Sequence, residues 1–114
     1  MAEPDLEEVL DLMSDDCARD ILAYTSQQPL SVPDLVDRCD ASERTIYRRL
    51  EQLQSLGLIE ERMQLDPDGH HRNVYETGLE TINMTLEDGE YEIRIRIEED
   101  TADRFARMWN DIRE

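Results

Sequence analysis

Ala41-Ser42-Glu43-Arg44-Thr45-Ile46-Tyr47-Arg48-Arg49-Leu50-Glu51-Gln52-Leu53-Gln54-Ser55-Leu56-Gly57 is the stretch on which the reading of this 114-residue chain turns. Ile46, Leu50 and Leu53 recur at i, i+4 and i+7, which predicts one apolar helix face. Ser42 suits the start, because its hydroxyl accepts from an orphan amide of the first turn. Gly57 suits the stop, because glycine takes the left-handed conformation without a Cβ clash. At 100° per residue, Arg44, Arg48 and Ser55 point away from the aliphatic face, with Thr45 and Gln52 beside them. Arg forks onto guanine, Gln onto adenine, and a Thr methyl meets the thymine methyl. The stretch predicts a helix anchored in a core on one side and suited to a DNA major groove on the other. An ordinary amphipathic surface helix has the same periodicity, so the flanking sequence has to decide.

Upstream, Leu6, Val9, Leu10 and Met13 predict a first helix over residues 5–13. Ser14-Asp15 offers caps for a second over residues 16–25, which Gln27-Gln28-Pro29 ends. Ser31-Val32-Pro33-Asp34 opens a short third helix that ends near Cys39, since proline is tolerated in a first helical turn. Asp40-Ala41 then leads into the quoted helix. A short helix, a tight turn and a longer Arg-bearing helix form a helix-turn-helix pattern. Downstream the period changes from helical to alternating. Residues 58–65 and 73–77 read as strands joined by the turn-rich Asp66-Pro67-Asp68-Gly69-His70-His71-Arg72. A hairpin directly after a helix-turn-helix is a wing. Arg72 is expected to reach phosphates or a narrow minor groove, with His70 and His71 adding charge or hydrogen bonds at the tip. A solvated loop is the plainer account of the His pair, and no cluster with metal-ligand spacing surrounds it.

The remainder reads as a second module. Ile82, Met84 and Leu86 alternate with polar residues, Glu87-Asp88-Gly89-Glu90 signals a hairpin turn, and Tyr91, Ile93, Ile95 and Ile97 share one face. Asp100 or Thr101 starts a predicted last helix, in which Phe105, Met108, Trp109 and Ile112 form a stripe holding the chain's single Phe and single Trp. That stripe suits either an intramolecular core against the hairpin or a dimer interface, where aromatic anchors dominate. The expected fold class is α+β, mainly α: residues 1–78 a winged helix-turn-helix, residues 79–114 a β-hairpin plus an amphipathic dimerisation helix.

Charge sharpens the reading. There are 29 Asp and Glu against 12 basic residues, every one of them Arg, for a net −17. Acidity without Lys resembles proteins of salt-accumulating haloarchaea, where like charges are screened to within roughly 3 Å at 1 M salt. Residues 1–40 carry a net −9 (11 acids, 2 Arg), residues 41–75 a net −1 (6 acids, 5 Arg), and residues 76–114 a net −7 (12 acids, 5 Arg). The nearly neutral window contains the quoted helix, which in so acidic a chain is the local equivalent of a basic patch. No apolar run reaches membrane-spanning length, and the acidic start is unlike a signal peptide, so a cytoplasmic location is expected. Cys17 and Cys39 lie far apart, without a CxxC pair or a disulfide framework.

Ser42 to Leu50, followed by Leu53-Gln54-Ser55-Leu56-Gly57-Leu58-Ile59, resembles the recognition helix and exit of winged helix-turn-helix regulators. It is similar to the ArsR-like group and its haloarchaeal relatives over roughly residues 5–78. The resemblance implies sequence-specific binding of double-stranded DNA as a dimer, and transcription regulation. The Cys-rich motif of the group's metal-sensing members is not present in this sequence. The expected base readers are Arg44, Thr45, Arg48 and Gln52. The expected phosphate contacts are Ser42, Tyr47, Arg49 and Arg72. No cofactor, metal or catalytic residue is assigned, because nucleophile elbow, phosphate loop and HExxH are all missing. Cations bridging the acidic surface and DNA are expected partners. A winged-helix protein-interaction module, or a metal- or redox-responsive switch using the cysteines or the His pair, are the competing readings.

Overall fold

The computed structural model describes residues 4–98. Four helices come first: α1 (Leu6–Met13), α2 (Asp16–Gln27), α3 (Val32–Cys39) and α4 (Glu43–Ser55). Four strands follow: β1 (Glu60–Leu65), β2 (His71–Glu76), β3 (Leu79–Glu87) and β4 (Glu90–Ile97). This is an α+β winged helix-turn-helix followed by a second hairpin.

Each helix starts on a side-chain cap. Asp5, Asp15, Ser31 and Ser42 accept from the backbone amides of Glu8, Ala18, Asp34 and Thr45. At Ser31 the cap is reciprocal, with the Asp34 carboxylate accepting from the Ser31 amide at 3.2 Å, so two orphan donors are satisfied at once. Between α3 and α4, Asp40 takes the left-handed conformation at φ 49° and turns the chain within three residues. α4 ends in a Schellman motif. The Leu58 amide donates to the Leu53 carbonyl at 2.9 Å, and the Gly57 amide donates to the Gln54 carbonyl at 2.9 Å. Gly57 sits at φ 73° between them.

Ile46, Leu50 and Leu53 are buried against Ile21, Leu22 and Leu35 of α2 and α3, and α1 adds Leu12. Leu58 and Ile59 carry the chain through this core into the wing. β1 and β2 pair antiparallel from Glu60↔Glu76 to Leu65↔His71. β2 therefore starts at His71, two residues before the sequence predicts. Leu30, to which the sequence assigns no role, bridges to Tyr75 with bonds of 3.0 and 2.7 Å and ties the wing to the α2–α3 connection. Thr77 is buried, its hydroxyl donating to the Leu58 carbonyl at 2.6 Å and accepting from the Leu79 amide at 3.0 Å. The second hairpin pairs from Leu79↔Ile97 to Glu87↔Glu90. Its base, at Leu79, Ile95 and Ile97, packs against the helical core. The helix expected after residue 100, with Phe105, Met108, Trp109 and Ile112, lies outside the described residues.

Candidate nucleic-acid interface

α4 is held by its aliphatic side and by its flanks. Ile46 and Leu53 are fully buried, so the opposite face is directed outward. Arg44 and Arg48 stand on that face, exposed. Among the described residues neither makes an ion pair, although the chain offers 29 carboxylates. Ser42, also exposed, caps the helix, and its hydroxyl donates to the Thr45 hydroxyl at 3.0 Å. Thr45 is half-buried, with its hydroxyl thereby engaged. Tyr47, 51% exposed, projects on the flank toward the wing, near enough to Tyr75 to act on its phenol.

Two candidates of the α4 face are committed elsewhere. Arg49 donates through Nε to the Asp15 carboxylate at 2.9 Å, and through an Nη to the Gln52 amide oxygen at 3.0 Å. Asp15 is the N-cap of α2. Burial pushes its carboxyl up, but the hydrogen bonds from Arg49 and the Ala18 amide, with the charges of Arg49 and Arg19, outweigh burial and hold it below the usual value. Arg49 thus pins the flank of α4 to the start of α2, with Gln52 as its second acceptor. Arg49 is therefore held in a packing contact, because a capped carboxylate fixed by the fold is a better partner for a half-buried guanidinium than solvent, while Gln52 stays exposed with its amide oxygen engaged.

The wing also departs from expectation. Arg72 and His71 belong to β2, and His70 lies in the connecting loop. Arg72 donates to Gln64 across the hairpin at 3.2 Å. Asp34, held low first by its hydrogen bonds with Ser31, also feels the Arg72 charge, so Arg72 stands on the α3 side of the wing. The tip carries Asp66 and Asp68, with Asp66 accepting from the Asp68 amide at 3.0 Å. Two carboxylates at the tip repel phosphate, so a wing that reaches DNA does so along its sides. At its root the two strands of the wing are held to each other by Tyr75, whose hydroxyl donates to Glu61, and by Arg62 on buried Glu76 at 2.8 Å.

Glu51 escaped notice in the sequence. On the helical wheel it lies about 130° from the buried face, as far round as Gln52 on the other flank. It is exposed and stands beside Arg48 and Arg44. In so acidic a chain a single extra carboxylate gives no signal, and only its place on the outward face singles it out.

The two thiols are half-buried against the core. Burial pushes Cys17 up, and burial with the neighbouring Cys17 raises Cys39 to about 11. Thiols held protonated in this way are weak nucleophiles. Among the described residues, no helix is long and apolar enough to cross a membrane.

A search of curated proteins finds no match to this chain. Residues 13–62, from the last residue of α1 to the third of β1, match the family model of a helix-turn-helix domain, a stretch that contains α3, the turn and α4.

Proposed function

We propose that this protein is a sequence-specific, double-stranded-DNA-binding transcription regulator that acts as a dimer in a salt-rich cytoplasm, without catalytic activity. The observation that carries the reading is the pair Arg44 and Arg48, outward-facing and without an ion pair among the described residues of a chain with a net charge of −17. α4 lies in the major groove, Arg44 and Arg48 meet base edges, and Ser42 and Tyr47 meet the phosphates that fix register. The flank of the wing, with His70 and His71, faces the adjoining backbone. Two protomers related by a two-fold axis read a near-palindromic site with half-sites roughly 10 bp apart, or a multiple of that.

Salt is the test. Most DNA-binding proteins release counterions, so their affinity falls steeply as salt rises. Here carboxylates and phosphates must approach one another, and cations taken up between them offset the usual release. Binding of a randomised duplex pool, measured from low to molar KCl, is expected to be flat or to rise with salt. A pool left unbound at every salt concentration overturns DNA binding. A loss with the ordinary slope, about −0.9 per phosphate contact, overturns the salt-adapted part alone.

A further inference from the structure

We infer that Glu51 is a specificity-determining residue of the α4 face, accepting a hydrogen bond from the exocyclic amine of a cytosine. The inference rests on the DNA-binding reading above and names a base that the reading leaves open. Three observations meet at this residue. Glu51 is exposed on the outward face, one turn beyond Arg48 and two beyond Arg44. Gln52, the polar residue at the mirror position on the other flank, is occupied by Arg49. The flank that carries Thr45, Arg49 and Gln52 is drawn toward α2 through Asp15, which leaves Arg44, Tyr47, Arg48, Glu51 and Ser55 as the side chains that open outward together.

A carboxylate brought into a major groove is repelled by the phosphates on both sides. It accepts from only one kind of group there without help, an exocyclic N–H₂ donor. Cytosine N4 is the donor that Glu and Asp pair with. Opposite guanine or thymine the same carboxylate meets an acceptor oxygen, and it is left desolvated and unpaired. Glu51 therefore discriminates chiefly by penalising wrong bases. Screening to within roughly 3 Å at molar salt removes most of its general repulsion from phosphates but little of a direct contact penalty. A salt-rich setting thus lets an acidic reader serve where dilute buffer would not. Arg44 and Arg48, which fork onto guanine, place this cytosine in a G·C-containing half-site.

The test is selection from a randomised duplex pool in molar KCl, using the full chain and its Glu51→Ala and Glu51→Gln variants. Ala and Gln are good helix formers and the site is exposed, so α4 is retained, and circular dichroism checks this. The parent is expected to select a motif with a C·G pair that it prefers by about 5- to 100-fold. Glu51→Ala is expected to lose preference at that one base pair and to keep it elsewhere. Glu51→Gln is expected to move the preference toward adenine, which Gln pairs with. If Glu51→Ala keeps every preference of the parent, or changes affinity equally for all sequences, the role of Glu51 is overturned while DNA reading stands. If the parent selects no motif, the DNA-reading proposal falls and Glu51 with it.

Discussion

Arg48 and Arg49 are consecutive and carry the same group, yet the helix sends them to different tasks. Arg48 is directed away from the core, and Arg49 reaches 34 residues back to Asp15. Both partners of that pair are mostly shielded, with 23% and 29% of their side chains exposed, so the bond is worth more than a surface ion pair. Arg49→Ala is expected to destabilise by about 1–2 kcal/mol and to lower Tm by ~5–10 °C. Arg48→Ala is expected to change stability by less than about 0.5 kcal/mol while abolishing selective DNA binding. The pH dependence follows from Asp15, whose folded carboxyl is held below its ordinary 3.8. A depressed acid contributes stability that is fully present above 3.8 and is lost as pH falls through the folded value. The gap between parent and Arg49→Ala should therefore hold from neutral pH down to about 4 and close below it. Thermal melts in KCl across that range, with a duplex-binding assay beside them, check the pair. Equal melting of Arg49→Ala and parent, or full selective binding by Arg48→Ala, would refute the division of labour.

The elements follow from local chemistry where caps and periods are local. The N-caps at Asp15, Ser31 and Ser42, the Ile46–Leu50–Leu53 stripe and the stop at Gly57 are legible because each involves residues within one or two turns, whereas Asp5, read as the first residue of α1, is its cap. What sequence reading misses is long-range. The start of β2 at His71 is set by pairing with Leu65, whereas the composition of Asp66 to Arg72 resembles loop throughout. The Leu30–Tyr75 bridge joins residues far apart in the chain, and nothing near Leu30 announces it. The pairing of Arg49 is illegible for the same reason, since it depends on where the fold brings Asp15. At Gly57 a local and a tertiary requirement coincide, because the left-handed turn both ends α4 and aims Leu58 and Ile59 into the core. A Cβ placed on Gly57 meets nothing within 4 Å, yet φ is +73°, so the cost of a side chain there is conformational rather than steric. Gly57→Ala is expected to cost about 1–2 kcal/mol, and Gly57→Asn less, because Asn tolerates this region better. Chemical denaturation of the two variants tests the order. Equal stability of Gly57→Ala and parent would mean that the turn relaxes freely.

At the scale of the whole molecule, an acidic chain that works as a dimer needs a neutral surface on which two copies can meet. The second hairpin is the surface proposed for it. Ile82, Met84, Leu86, Tyr91, Ile93 and Ile95 line one face in register, without a charge among them. At its base Ile95 packs on the core, whereas toward the turn Met84, Leu86 and Tyr91 remain 52%, 61% and 58% exposed. Three such side chains amount to a patch of a few hundred Å² at most, large for a lone surface feature. It is still short of the ~800 Å² per partner of a standard interface. The expected helix with Phe105, Met108, Trp109 and Ile112, which lies outside the described residues, is the proposed source of the remaining area. Replacing Met84, Leu86 and Tyr91 together by Ser is expected to weaken self-association by on the order of 100-fold or more, because each apolar side chain is removed from both copies. Repulsion between the acidic coats adds a salt dependence, so the parent should dissociate as KCl is lowered and the screening length grows. Sedimentation velocity of parent and triple variant across a KCl series separates the two effects. A triple variant as dimeric as the parent at every salt would place the interface elsewhere, and a parent monomeric in molar KCl would remove the dimer and the palindromic site that depends on it.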